Sequence, residues 1–118
     1  MSDPTQMTAE ELLAAYARNA LSPVEVLQAV TERVARLNPS INAFAVMNPH
    51  SLAQAGESAA RWRAGRPIGP LDGVPITIKD LVDVAGLPTR SGSRLSETAA
   101  AVHSFPTRRS SDHRKSVV

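Results

Sequence analysis

The chain has 118 residues, 42% hydrophobic and 20% charged, which is enough for one domain with its own core and too few for two. It contains no cysteine, so disulfides, thiolate metal sites and cysteine nucleophiles are excluded, and its three histidines are too far apart for a metal-ligand motif. The net charge of +2 arises in the last dozen residues, which contain four cations and a single acid, Asp112. The rest of the chain has a net charge of −1 and no basic patch that would bind nucleic acid.

The N-terminal stretch, MSDPTQMTAEELL, is acidic and polar and lacks the basic and apolar regions of a signal peptide. No apolar run approaches the roughly 18 residues that a membrane span requires. We therefore expect a cytoplasmic protein that binds no membrane. The oligomeric state is not indicated by these features.

Two helix-start signals follow. Thr8 and Glu11 form a capping box, in which the Thr hydroxyl accepts a backbone N–H and the Glu side chain reaches back to the cap. Ser22 and Glu25 repeat this spacing, with Pro23 at the first helical position. The second helix is predicted to end at Asn38-Pro39. Its apolar stripe has helical spacing and consists of Leu27, Val30, Val34 and Leu37.

The middle of the chain predicts a strand and then a third helix. INAFAVM, residues 41–47, is typical of a short, largely buried strand or extended segment. A helix is expected from about Asn48, as its cap, to Ala64, and Gly65 is a natural stop.

A second strand follows a turn region that is rich in Gly and Pro. Asp72-Gly73 is typical of a turn that starts the strand, and residues 74–79 (VPITIK) have the β-branched content of a strand. Pro75 restricts this strand to an edge or to its first residues. The order helix–helix–strand–helix–strand predicts an α/β protein.

The strand ends at Lys79, the only lysine in the first 114 residues. The plain interpretation is a strand-end lysine that points to water, as most lysines do. However, its face of the strand also carries Thr77 and Pro75 rather than other charges, and the surrounding Gly and Pro residues suit a backbone folded around a site. A lysine buried in such a site can act as a general base, because burial favours the neutral amine.

The segment GPLDGVPITIKD, followed by AGLPTRSGS, resembles the amidase signature family. The helices before it resemble that family's N-terminal helices, and the resemblance covers about residues 8–98. It implies an α/β fold made of N-terminal helices plus the first strands of a mixed sheet. It also implies that Lys79 is a catalytic residue.

The resemblance further implies a Ser–cisSer–Lys triad that hydrolyses amides. The unprotonated lysine takes a proton from a serine in a cis peptide, and that serine relays it from the nucleophilic serine. The nucleophile attacks the amide carbonyl, ammonia or an amine leaves, and water hydrolyses the acyl-enzyme. The implied partner is a small-molecule amide substrate. No cofactor or metal is implied.

The chain departs from the family pattern after Lys79, because it has no Gly-Gly-Ser-Ser-Gly-Gly type loop to supply the two serines. Ser91 and Ser93 are interpreted as turn or cap residues. We expect residues 1–98 to be the N-terminal part of an incomplete amidase domain, inactive alone. We expect residues 99–118 to be a disordered basic tail that is not native family sequence, since SFPTRRSSD resembles translated adapter read-through. The alternative is a natural short protein whose tail contacts an acidic partner.

Three functions stay open. The first is an amidase-type hydrolase. The second is the ammonia-releasing subunit of a glutamyl-tRNA(Gln) amidotransferase, which shares the signature. The third is a non-catalytic helical interaction module. In an interaction module, a set of apolar residues would contact a partner protein, and in the enzyme the same residues would pack against the remaining part of the domain. These residues are Leu12, Tyr16, Leu27, Val30, Val34 and Leu37.

Overall fold

The computed structural model describes residues 2–93 and residue 95. A 3₁₀ turn, Pro4–Gln6, precedes three helices: α1, Ala9–Ala17; α2, Pro23–Ile41; and α3, Ser51–Arg63. The described residues fall into two compact units, one that ends at Ile76 and one that begins at Thr77. The predicted boundary at residue 98 and the predicted tail lie outside the described residues.

Both predicted capping boxes are confirmed. At α1, the Glu11 N–H donates to Thr8 Oγ1 (3.2 Å) and the Thr8 N–H donates to Glu11 Oε2 (2.7 Å). At α2, the Glu25 N–H donates to Ser22 Oγ (3.2 Å) and the Ser22 N–H donates to Glu25 Oε2 (2.8 Å). Each box satisfies two backbone N–H groups that a helix start would otherwise leave without partners.

The predicted end of α2 is wrong, and of the two forms predicted for residues 41–47 the strand does not form. The helix continues through Pro39 to Ile41, and Asn42 ends it in the left-handed region (φ 49°) with its N–H donating to the Asn38 carbonyl at 2.7 Å. The Asn38 side chain then accepts from the Phe44 N–H (2.9 Å) and donates to the Phe44 carbonyl (3.1 Å). These bonds curl the chain back onto the helix end, so the backbone does not run on as a strand.

The third helix starts two residues later than predicted, with His50 rather than Asn48 at the cap position. Asn48 lies before it, where its side chain accepts from the His50 N–H (3.0 Å) and its carbonyl accepts from the Ser51 hydroxyl (2.9 Å). The predicted stop is confirmed, because Gly65 follows the helix with a φ of 67° and donates its N–H to the Trp62 carbonyl (3.0 Å).

The described part of the chain is helical, and no residue in it belongs to a strand beyond isolated bridge positions at Ala85 and Pro88. The predicted strand over residues 74–79 is therefore not formed, and neither the α/β class nor the first strands of a mixed sheet are confirmed here. A strand needs a hydrogen-bonded neighbour, and β-branched content does not supply one.

The core lies among the three helices, in two clusters. The first contains Leu12, Tyr16 and Val26, and the second contains Leu27 and Ala55. The expectation that Leu12, Tyr16 and Leu27 face another protein or a remaining domain is wrong, because they are at most 5% exposed within this chain. Only the C-terminal end of the predicted stripe stays open, at Leu37 (41% exposed).

Several large apolar side chains remain exposed outside this core. They are Leu37, Ile41, Met47, Leu52, Ile68, Leu71, Ile76, Ile78, Leu81 and Leu95. They lie on α2, on α3, at Met47 between these helices, and on the residues that follow α3. Among the described residues, no helix has both the length and the apolar character needed to cross a membrane.

Candidate functional site

The turn before the predicted catalytic segment is held by a buried carboxylate. Asp72 Oδ1 accepts from the Ser58 hydroxyl and from Arg61 Nη2, each at 2.7 Å. Asp72 Oδ2 accepts from Arg61 Nε (2.7 Å) and from the Ile68 N–H (3.2 Å). The Asp72 side chain is only 2% exposed and the Arg61 side chain 17%, so this two-point ion pair is largely shielded from water.

The backbone of the same turn is held from the other side. Trp62 Nε1 donates to the Asp72 carbonyl (3.0 Å), and the Tyr16 hydroxyl donates to the Gly73 carbonyl (2.9 Å). The Tyr16 and Trp62 rings pack against each other, with centroids 5.8 Å apart. We call this set of side chains and acceptors the Asp72 clamp, which comprises Tyr16, Ser58, Arg61, Trp62, Asp72 and Gly73.

Only glycine fits at position 73. Its φ is +85°, and an added Cβ would lie 2.7 Å from both Pro23 Cγ and Ser58 Oγ. The turn therefore approaches the start of α2 and the middle of α3 more closely than a side chain would allow.

The clamp changes the protonation behaviour of its members. Burial raises the pKa of Asp72, but the hydrogen bonds from Arg61, Ser58 and the Ile68 N–H outweigh burial, so the net pKa of this carboxyl is lowered. The hydrogen bond to Asp72 raises the pKa of Arg61. Burial raises the pKa of Tyr16. The carboxylate and guanidinium are therefore both charged at neutral pH.

Lys79 follows Asp72 by seven residues. Its side chain is exposed, and its carbonyl accepts from the Val82 N–H at 3.1 Å. Ile76 and Ile78, which alternate with Thr77, are 38% and 36% exposed. In the described part of the chain, Lys79 thus presents its amine to solvent.

The loop after Lys79 is organised by Asp80. Its carboxylate accepts from the Arg90 N–H and its carbonyl accepts from the Ser91 N–H, both at 2.9 Å. Ser91 lies in a turn with a φ of 52°, and Ser93 Oγ accepts from the Leu95 N–H (3.1 Å), as their interpretation as turn or cap residues predicts.

The second loop contact joins the Thr89 hydroxyl to Asp83 Oδ1 at 2.7 Å. Within residues 2–93 and 95, no three His, Asp or Glu side chains come together in a way that could hold a metal ion. The chemistry that the described residues offer near the loop is that of a single amine, Lys79, which can act as a cation or, when unprotonated, as a base.

Sequence reasoning identified Asp72-Gly73 only as a turn and missed the rest of the clamp. One signal was available, since Ser58 and Arg61 lie three residues apart and therefore share a face of α3. Nothing in the sequence pattern indicated that this face meets Asp72, because the contact depends on how the chain returns after Gly65.

The model of the Amidase family matches residues 25–108, which include the Asp72 turn and Lys79. The chain belongs to the amidase family. The matched range also overlaps the first ten residues of the predicted tail.

Individual relatives include amidases and amidotransferase subunits. The chain is 44% identical over 89 residues to an acylamidase of Rhodococcus erythropolis, covering 75% of this chain and 19% of that protein. It is 38% identical over 96 residues to a glutamyl-tRNA(Gln) amidotransferase subunit of Salinispora arenicola, covering 80% and 20%. The structure resembles the native peptide amidase of Stenotrophomonas maltophilia with a TM-score of 0.76 and 30% identity, over 80% of this chain and 20% of that one. The chain thus spans about one fifth of the length of these relatives.

Proposed function

We propose that this chain supplies the N-terminal part of an amidase-type hydrolase that cleaves the C–N bond of carboxylic amides, with Lys79 as the base of a Ser–cisSer–Lys triad. The single observation that carries the proposal is the family match over residues 25–108, because it includes the segment that ends in Lys79. The 44% identity to an acylamidase supports the same assignment. The substrate class is a small-molecule amide and the location is the cytoplasm.

In the proposed reaction, the neutral Lys79 amine accepts the proton of the cis-peptide serine, which takes the proton of the nucleophilic serine. The serine oxygen bonds to the amide carbon, the C–N bond breaks, and the leaving amine receives a proton. Water then hydrolyses the ester and regenerates the serine. No cofactor takes part.

Lys79 is exposed in this chain. The proposal therefore requires the segment after Ile76 to be covered in the complete enzyme, where desolvation would favour the neutral amine. Under the same proposal, the mixed sheet of the α/β fold forms only in the complete enzyme, because residues 74–79 have no strand partner among the described residues. The 118-residue chain alone, which lacks the two serines of the triad, is proposed to be inactive.

The experiment is a chimera in which residues 8–98 replace the matching segment of the Rhodococcus acylamidase. We expect the chimera to hydrolyse a chromogenic anilide, and we expect Lys79→Arg to abolish hydrolysis, because arginine keeps the charge but does not deprotonate. The matched control is Arg63→Ala, an exposed cation on α3 that should leave the rate unchanged. A Lys79→Arg chimera with full activity would contradict the proposal.

A second candidate is the ammonia-releasing subunit of a glutamyl-tRNA(Gln) amidotransferase, which the 38% identity over 96 residues supports. The same residues 8–98 can be placed in the Salinispora protein and tested for ammonia release from glutamine. Because the apolar residues of the segment must pack on the rest of the domain, the segment should function best in its own class. Activity in the Salinispora protein, together with a misfolded acylamidase chimera, would favour this second candidate.

A further inference from the structure

The loop that follows Lys79 is closed at its base by one residue. Asp80 Oδ1 accepts from the Arg90 N–H, and the Asp80 carbonyl accepts from the Ser91 N–H, both at 2.9 Å. The side chain and the main chain of Asp80 thus hold two successive residues of the returning arm. This double contact brings the two ends of the loop together directly beside Lys79.

The backbone of Lys79 belongs to the same base. Its carbonyl accepts from the Val82 N–H at 3.1 Å, so the carbonyls of Lys79 and Asp80 both have backbone partners. These residues all lie in the compact unit that begins at Thr77. The contacts that hold the chain at Lys79 are therefore contacts within its own unit.

The Asp80 carboxylate bonds to the backbone rather than to the neighbouring amine. In the part of the chain that the structure describes, no ion pair joins Asp80 to Lys79. A carboxylate paired with that amine would favour the ammonium form and so oppose its use as a base. A carboxylate that accepts from a backbone N–H instead ties two parts of the chain together.

A second tie in the loop offers a comparison. The Thr89 hydroxyl donates to Asp83 Oδ1 at 2.7 Å, and Asp83 is exposed. This tie joins two side chains, whereas the tie at Asp80 holds backbone groups next to Lys79. Loss of the Asp83 tie should therefore leave the backbone at Lys79 in place.

We infer that Asp80 is a positioning residue for Lys79, which acts by holding the returning arm of the loop against the backbone that carries the amine. This inference rests on the proposed function. Because consecutive Cα atoms are only about 3.8 Å apart, a shift of the Asp80 backbone passes directly to Lys79. A misplacement of about 1 Å can reduce a rate about a hundredfold.

The experiment uses the acylamidase chimera that carries residues 8–98. Three variants separate reach from charge at Asp80. Asp80→Asn keeps an acceptor oxygen at the same reach, Asp80→Glu keeps the charge but is longer by one methylene, and Asp80→Ala has neither. The matched control is Asp83→Ala, in the same loop. We measure kcat, KM and the folded fraction of each variant.

Asp80→Ala should reduce kcat per folded molecule about ten- to a hundredfold with KM within about twofold, since alignment changes rather than binding. Asp80→Glu should lose at least about tenfold, because its longer side chain displaces the arm. Asp80→Asn should stay within about threefold of the wild type, and Asp83→Ala within about twofold. If Asp80→Ala does not fold, the comparison of Asp80→Asn with Asp80→Glu decides.

Three results would overturn the inference and leave the proposed function standing. They are an unchanged kcat per folded molecule in Asp80→Ala, an equal loss in Asp83→Ala, and the reverse order, with Asp80→Glu active and Asp80→Asn inactive, which would show that charge matters rather than position. A folded wild-type chimera without activity, or a Lys79→Arg chimera with activity, would overturn both.

Discussion

The buried ion pair between Arg61 and Asp72 allows a quantitative prediction for Asp72→Asn. The substitution keeps the size of the side chain but replaces the charged carboxylate, whose two oxygens each accept a hydrogen bond of 2.7 Å from Arg61, by a neutral amide. It also directs an amide NH₂ at groups that are themselves donors. Because the Asp72 side chain is 2% exposed, water cannot replace these bonds. Removing one partner of a buried pair costs about 3–5 kcal/mol, and the remaining amide oxygen recovers part of this, so we expect a loss of about 2–4 kcal/mol.

The assay is urea unfolding followed by the fluorescence of Trp62, the only tryptophan, and by far-UV circular dichroism. Trp62 is a local reporter, because its indole N–H donates to the Asp72 carbonyl. The control is Glu32→Gln, which removes a charge from an exposed position on α2 and should change the free energy of unfolding by less than about 0.5 kcal/mol. Equal free energies of unfolding for Asp72→Asn and Glu32→Gln would show that the buried ion pair does not stabilise the fold.

Three further predictions concern stability. The folded-state pKa of Asp72 is lowered, so the charged carboxylate stabilises the fold at pH values above its unfolded-state pKa of about 3.9. This contribution to the free energy of unfolding is lost as the pH falls through the folded-state pKa. At pH values below about 4, the urea midpoint of the wild type should therefore decrease more steeply with falling pH than that of Asp72→Asn. Parallel pH profiles would show that the Asp72 carboxylate does not stabilise the fold. Gly73→Ala should destabilise by more than about 2 kcal/mol, since its Cβ meets Pro23 and Ser58, whereas Gly56→Ala, with nothing within 4 Å in α3, should stabilise by about 0.5–1 kcal/mol in thermal melts. Ser22→Ala should cost about 0.5–2 kcal/mol in the same melts, and a smaller loss would show that the cap is not used.

Local signals predicted the helix starts well, because a capping box is complete within four residues. Thr8 with Glu11 and Ser22 with Glu25 needed no knowledge of the rest of the fold. The end of α2 was not predictable in the same way, since Pro39 favours an end while the Asn38 side chain and the left-handed Asn42 decide where the helix stops.

Long-range contacts account for what the sequence did not predict. Residues 74–79 have the composition of a strand, but a strand forms only where a neighbouring strand pairs with it. The composition of the segment does not indicate whether such a neighbour is present. The Asp72 clamp joins residues up to 57 positions apart, as in the bond from Tyr16 to the Gly73 carbonyl. Lys79 was singled out from its place in the segment and from the family resemblance, and its role stays a prediction.

The proposed role of Lys79 as a base is tested most directly by kcat/KM for the acylamidase chimera with Lys79 and with Lys79→Arg. We predict that the wild-type segment supports hydrolysis and that Lys79→Arg lowers kcat/KM by at least about a hundredfold, as expected for a lost general base. A folded Lys79→Arg chimera that retains the wild-type kcat/KM would show that no proton is taken by Lys79.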